Sequence, residues 1–381
     1  MKRILILICF LLLCGCSSDV FQELGYSATE AKIIKGLSEK NQAFFSAYDE
    51  NLSALINNED FKEDNIKTYL KFLEVFTPEK AIEYVNNKTI SLKDYGSVIK
   101  ITRANGYKED NLKLYLAYIE SFNHNGDLTV KACNEKAARM ATQINEMSKD
   151  PLFIIDNLKL YLEHYEEKET IRELVEYVNA KRYLPYYEEQ ERADVEKYGY
   201  KVLVNKYYCL DDDYEPDDLV DVEAKYGVGQ AREEAYEAYK RMQDDAEKEN
   251  LHFYICSPYR SYNTQDVLYN RYLATDSREN VDIYSARPGS SEHQLGLALD
   301  ILKTGYDFGT FWVTKEARWL EENAHKYGFI LRYPSNKINI TGYKYEPWHF
   351  RYVGDIAEDV YLSGVTYDEY FEKYVKTNDE D

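Results

Sequence analysis

The sequence predicts an α+β domain with a central antiparallel sheet and flanking helices, preceded by an all-α helical-repeat domain. Two observations carry this. Before residue 200, one block of sequence recurs at a fixed spacing of 46 residues, the mark of stacked helical units. After it, short strand-like and helical segments alternate, as in an α+β fold. The chain has 381 residues, 44% hydrophobic and 15% aromatic, enough apolar mass for two or three domains, each with its own core.

The N-terminus reads as an export signal. "MKR" is followed by an apolar run and then by "LCGC", Leu13 to Cys16. The run is short for a span of about 20 residues. "LCGC" resembles the lipobox at which bacterial lipoproteins are cleaved and lipidated. That resemblance implies a signal peptide over 1–16, a lipid on Cys16 and an anchor at the extracytoplasmic face of the cell membrane. Two acyl chains suffice for firm anchoring. Of the other cysteines, Cys9 and Cys14 leave with the signal. Cys133, Cys209 and Cys256 are scattered without paired spacing, so unpaired packed thiols are expected rather than a disulfide scaffold. The net charge of −21 argues against nucleic acid, whose phosphates need clustered Lys and Arg, and favours solubility.

The helical-repeat domain is placed at 17–198. "EDNIKTYLKFL" at Glu63 returns as "EDNLKLYLAYI" at Glu109 and "IDNLKLYLEHY" at Ile155; "IEYVN" at Ile82 returns as "VEYVN" at Val175. Asp or Asn is expected to cap each helix. Ile66, Tyr69, Leu70 and Leu73 then fall on one face, as do Leu112, Tyr115, Leu116 and Ile119, and Leu158, Tyr161, Leu162 and Tyr165. Such a stripe needs a neighbour to bury it, so these tyrosines are expected in a core. Tyrosines on a concave repeat face can also hold sugar rings or peptides, and the repeats' own protein or glycan partner is not legible. His124 and His164 stand alone and carry no metal-ligand spacing.

From residue 199 to 370 the strand-like segments are "YKVLVNKYY", "LHFYICSPYRS", "LGLALDIL" and "YEPWHFRYVG". The helical ones are "GQAREEAYEAYKRMQDDAEKEN" and "KEARWLEENAHKYG". Residues 371–381 read as an acidic tail. In "GLALDI", Leu297, Leu299 and Ile301 alternate with Gly296, Ala298 and Asp300. The first set packs; the second places a carboxylate among small residues with room beside it. A buried Asp is costly unless it is paired or binds metal. His293 lies at the mouth of this strand. His349 alternates with Trp348 and Phe350 in the last strand, with Glu346 three residues before it. A His–Asp–His set with an open fourth position suits catalytic zinc, and a carboxylate outside the shell can take a proton from water. Arg260 in "SPYRS" is a fixed cation at a turn, suited to a carboxylate or an oxyanion. His252, His325 and Cys256 read as structural. The acidic run "DDDYEPDD" lacks calcium-loop spacing and reads as a solvated loop.

"SPYRS", "SSEHQLGLALD" and "EPWH", in that order, resemble the motif set of VanY-type D-alanyl-D-alanine carboxypeptidases, zinc peptidases that trim cell-wall stem peptides. The resemblance extends over roughly 200–365, through "YEPDDLV", "GFILRYP" and "ITGYKYEPWHFRYVG". It implies a Zn2+ cofactor with His293, Asp300 and His349 as ligands, Glu346 as general base, and Arg260 and Ser291 as substrate or transition-state contacts. It also implies peptidoglycan stem peptides as partners and D-Ala-D-Ala as the bond cleaved. An L,D bond such as L-Lys-D-Ala, cut with the same motifs, is the alternative within the class; a non-catalytic wall-binding lipoprotein is the alternative outside it. Pro258 stands where the family usually has Gly, and Leu295 where Thr is common; both leave substrate preference open.

Overall fold

The computed structural model describes residues 20–48, 52–91, 94–103, 107–125 and 140–377. The expected signal segment, Cys16 and Cys133 lie outside these residues. Among the described residues, no helix is long and apolar enough to cross a membrane. The chain divides into two compact units, 1–149 and 150–381.

Each repeat begins with an extended residue and a single tight turn, then an α-helix: Glu63–Asn65 into Ile66–Phe72, Glu109–Asn111 into Leu112–Asn125, and Ile155–Asn157 into Leu158–Glu163. The stripe tyrosines Tyr69, Tyr115 and Tyr161 are fully buried, as core residues. The expected side-chain caps are absent at Asn65 and Asn157. Instead the repeat asparagines reach sideways. Asn65 Nδ2 donates to Asn86 Oδ1 at 3.0 Å, Asn111 Nδ2 to Asn145 Oδ1 at 2.6 Å, and Asn157 Nδ2 to Asn179 Oδ1 at 3.1 Å. The buried tyrosine hydroxyls donate to the same three oxygens. Asn86 and Asn179 end the helices Pro78–Asn86 and Ile171–Asn179. Their amides donate to the carbonyls of Asp60 and Leu152. A buried amide has to find partners for both its ends; here it ties two helices and a connecting loop into one unit. Thr77 and Thr170 supply the caps on these second helices.

The third repeat belongs to the second unit, so the division falls at Lys149/Asp150 and not near 198. The reason is packing. Leu184 and Tyr186 join a cluster with Leu203, Ile330, Val353, Val360 and Phe371. Lys373 Nζ donates to the Phe153 carbonyl at 2.5 Å. The expected tail is likewise ordered to Thr377: Tyr367–Tyr370 continues into a wider π-type coil, Phe371–Lys376, that buries Phe371.

The second unit holds three sheets. Strands β1 (Glu191–Arg192) and β2 (Tyr208–Cys209) pair parallel; β3 (Leu219–Asp221) and β4 (Gln230–Arg232) pair antiparallel. The main sheet is antiparallel, with β5 (Tyr254–Ser257), β6 (Ala298–Leu302), β8 (His349–Tyr352) and β7 (Phe329–Leu331) in that order. Helix Glu233–Glu247 packs its apolar face on this sheet, and Leu297, Leu299, Ile301 and Phe350 are fully buried in the shared core. Of the long strand expected over "YKVLVNKYY", only Tyr208 pairs in a ladder, in β2. Arg351 Nη2 donates to the carbonyls of Tyr200 and Val202, and Tyr367 Oη to that of Lys201. These carbonyls are satisfied by side chains, so Val202–Val204 is buried without a ladder partner.

Candidate metal centre and active site

Register brings the site together. Asp300 on β6 lies directly opposite His349 on β8, so both side chains leave the sheet on one face. On the other side of β6, Asp300 faces Ser257 across a bulge in β5, which turns the chain into Pro258 and Arg260. His293 sits in the turn Glu292–Leu295, which ends at Gly296 with φ +67°. A Cβ there would lie 2.9 Å from Arg232 Cγ and 3.0 Å from Leu219 Cδ2. Glycine therefore lets the chain swing from the histidine turn straight into β6.

His293, Asp300 and His349 are all buried, and one ligand atom from each lies within 4.8 Å of the others. His293 Nε2 is 3.3 Å from Asp300 Oδ2, and His349 Nδ1 is 3.3 Å from Asp300 Oδ1. Each imidazole thus faces a different oxygen of the one carboxylate, and a zinc ion with bonds of about 2.0–2.1 Å would take one atom from each of the three residues. Two further observations fit a metal here. Asp300 Oδ1 is buried without accepting a hydrogen bond. The outer nitrogen of each imidazole is already engaged: His293 Nδ1 with the Pro258 carbonyl at 2.7 Å, and His349 Nε2 with Glu292 Oε2 at 3.4 Å. With a metal bound, each ring would turn the lone pair of its other nitrogen inward. Pro258 thus holds the carbonyl that orients His293, and it packs against Gly229. Leu295 is core.

Glu346 lies beside this set, its Oε2 3.6 Å from His349 Nδ1. Burial pushes its carboxyl up to about 7. Asp300 is held well below the usual carboxylate range; burial opposes this, and the facing His293 and His349 outweigh it. One buried carboxylate stays ionised and the other sits where a proton can come and go near neutrality, the separation expected of a ligand and a base. Arg260 is fixed by Gln265 Oε1 at 2.5 Å and Ser257 Oγ at 2.9 Å, with Nη2 3.7 Å from Asp300 Oδ2. Ser291 lines the same cleft of about 680 Å3.

Several residues escaped the sequence reading. Glu292, the neighbour of His293, is fully buried between Arg332 Nε at 2.7 Å and Arg351 Nη1 at 3.0 Å. Arg332 in turn donates to Asp368 at 2.6 Å. Each lies in a quoted stretch except Asp368, but nothing in a one-dimensional pattern pairs them. Trp348, expected on the face away from His349, is half-buried and lines the cleft. The residues set aside stay aside. Cys256 donates to the Asp300 carbonyl, with burial pushing its thiol up to about 12. His325 stacks on Tyr361, and His164 pairs with Glu167. In the acidic run, Asp211 and Asp218 pair with Arg192 and Arg232.

A sequence model of the D-alanyl-D-alanine carboxypeptidase (VanY) family matches residues 229–355. The YodJ protein of Bacillus subtilis (strain 168) is 42% identical over 184 residues, covering 46% of this chain and 67% of YodJ. A D-alanyl-D-alanine carboxypeptidase of Enterococcus faecium is 36% identical over 179 residues, covering 43% of this chain and 55% of that protein. Among solved structures, that of the LdcB LD-carboxypeptidase aligns at 38% identity with a TM-score of 0.46, over 50% of this chain and 93% of that one. The chain thus spans between half and two thirds of these curated relatives, and the matched segment carries Arg260, His293, Asp300, Glu346 and His349: the chain belongs to the VanY family of D-alanyl-D-alanine carboxypeptidases.

Proposed function

We propose that the second unit hydrolyses the bond before a C-terminal D-alanine in peptidoglycan stem peptides. The observation that carries this reading is the convergence of two imidazoles, each 3.3 Å from one oxygen of the Asp300 carboxylate between them, with a base-poised Glu346 beside them. A Zn2+ ion held by His293, Asp300 and His349 would supply the Lewis acidity that makes a water nucleophilic near neutral pH and polarises the scissile carbonyl. Glu346 accepts the proton of the attacking water and returns it to the leaving amine. Arg260, locked by Gln265 and Ser257, offers its guanidinium to the substrate's terminal carboxylate or to the developing oxyanion. Ser291 contributes a hydroxyl to the same wall. The Glu292–Arg332–Arg351 group keeps His349 in one orientation.

The lipobox-like "LCGC" supports a further proposal, that a lipid on Cys16 tethers the chain to the outer face of the membrane, where wall precursors are accessible. Both readings are testable. Full-length protein incubated with a stem pentapeptide ending in D-Ala-D-Ala should release one D-alanine, seen by mass spectrometry. A chelator should stop the release, and added zinc should restore it. Release only from a tetrapeptide ending in L-Lys-D-Ala would reassign the bond; no release from either would remove the peptidase reading. Metabolic labelling with a fatty acid should mark the wild type and not Cys16→Ala.

A further inference from the structure

The segment 305–313 joins β6 to the helix Lys315–Asn323 and forms a patch unlike the rest of the surface. Twelve large apolar side chains are exposed among the described residues, and four of them, Tyr306, Phe308, Trp312 and Val313, fall in this one loop. Scattered exposed apolar residues need no explanation, but a contiguous group beside a cleft marks a binding surface. Trp312 is 60% exposed and Phe308 43%.

The loop is built to hold these side chains out. Thr310 Oγ1 donates to Asp307 Oδ1 at 2.6 Å, and the Phe311 amide to the Asp307 carbonyl at 2.9 Å. Phe311 is fully buried and plugs the loop into the core. The indole N–H of Trp312 is spent on the Gly309 carbonyl at 3.2 Å, so the ring offers its apolar surface outward. Ordering such a loop costs little on binding, because it is already ordered. The loop reaches the substrate site through Phe308, which lines the cleft and packs edge-on against Trp348, ring centroids 4.9 Å apart.

We propose that this aromatic loop is a binding surface for the glycan strand that carries the stem peptide, with an uncharged pyranose ring stacked on Trp312. A pyranose has a face of C–H groups and a rim of hydroxyls, and a flat exposed ring beside polar backbone matches that amphipathic shape. The proposal rests on the peptidase reading, since the sugar reaches this surface only because its attached peptide occupies the cleft. Charge argues against an anionic lipid surface: the chain carries −21, the loop itself contributes Asp307, and the nearby Lys303 is paired with Glu316 at 2.8 Å. Membrane-inserting loops carry clustered cations; exposed Lys315 and Arg318 follow this loop, so flotation with anionic vesicles is the competing outcome of the test.

The test compares wild type, Trp312→Ala and Trp312→Phe, all full-length, on two substrates: a soluble stem pentapeptide and purified polymeric wall. Trp312→Ala should keep kcat/KM on the soluble peptide within twofold and lose at least fivefold in D-alanine release from the polymer. Trp312→Phe should recover most of that loss. Equal rates for Trp312→Ala and wild type on the polymer would overturn the proposal. So would a wild type that floats with phosphatidylglycerol vesicles while Trp312→Ala does not, since that assigns the loop to lipid. A wild type that sediments as a dimer while Trp312→Ala is monomeric would assign it to a second copy. A wild type inactive on the soluble peptide strikes the peptidase reading instead; a fluorescence quench by wall glycan stripped of peptide that is present in wild type and absent in Trp312→Ala still reads the loop separately, since Trp319 and Trp348 remain in both.

Discussion

The helical repeats and the sheet domain both bury polar side chains, but of different kinds. In the repeats the buried groups are neutral. A tyrosine hydroxyl and an asparagine amide converge on a second asparagine, and that pattern recurs with the 46-residue period. In the sheet domain charged groups are buried as well. Glu292 lies between two arginines, Arg332 bridges to Asp368, and Asp300 faces two imidazoles while one of its oxygens stays without a hydrogen bond. Satisfied neutral networks fix geometry at modest cost. Buried charges are expensive unless compensated, and a buried carboxylate between two imidazoles, with one oxygen that accepts no hydrogen bond, suits a metal ligand. The difference separates architecture from chemistry within one chain.

The sharpest way to break this comparison is at Glu346. Glu346→Gln should keep the fold and a full equivalent of zinc while D-alanine release falls about a thousandfold, within the 10²–10⁴ range for general base catalysis. A near-normal rate would take Glu346 out of the mechanism. Asp300→Asn and His349→Ala should lose both metal and activity, read by elemental analysis on the same samples. His349→Ala with a full equivalent of zinc would show that the ligand set is wrong.

Next in size is the charged network. Arg332→Ala strands Glu292 and Asp368 in the core and should cost about 3–5 kcal/mol in denaturant unfolding. A loss under 1 kcal/mol would mean that water reaches these carboxylates. Lys206 gives a pH signature. It is buried beside the Tyr343 ring, 3.8 Å from its centroid, with Tyr187 Oη 3.1 Å from Nζ, and burial pushes its amine down to about 7. The unfolded chain keeps that proton to about pH 10.4. Between pH 7 and 10 the unfolded state therefore binds more protons, and stability rises with pH by at most about 1.4 kcal/mol per pH unit from this group. Lys206→Met should flatten that slope relative to wild type; an unchanged slope would show that the folded protein holds Lys206 charged.

The smallest effect belongs to the repeats. Tyr161→Phe removes one neutral hydroxyl from Asn179 and the Ile154 amide. It should cost about 1–2 kcal/mol and leave soluble-peptide turnover unchanged. A comparable loss of turnover would show that the third repeat shapes the cleft as well as supporting the unit it packs in.

The period of 46 residues, the stripes it carries and the alternation in "GLALDI" were legible in the sequence because they are local. Residues a few positions apart share a helix or strand face whatever the rest of the chain does. The motif order and its resemblance to the VanY family grouped His293, Asp300, Glu346 and His349 as one expected site. What tertiary structure decided depends on residues far apart in the chain. The asparagines expected to cap helices bond across to residues some twenty to thirty-five positions away. The third repeat joins the sheet domain because Leu184 and Tyr186 find partners near the C-terminus. "YKVLVNKYY" gives up its ladder because Arg351 and Tyr367, about 150 residues later, take its carbonyls. Glu292 lies between two arginines 40 and 59 positions further on. Periodicity shows which face a residue occupies, while the partner it meets there depends on how distant segments pack, and that pairing exists only in the folded chain.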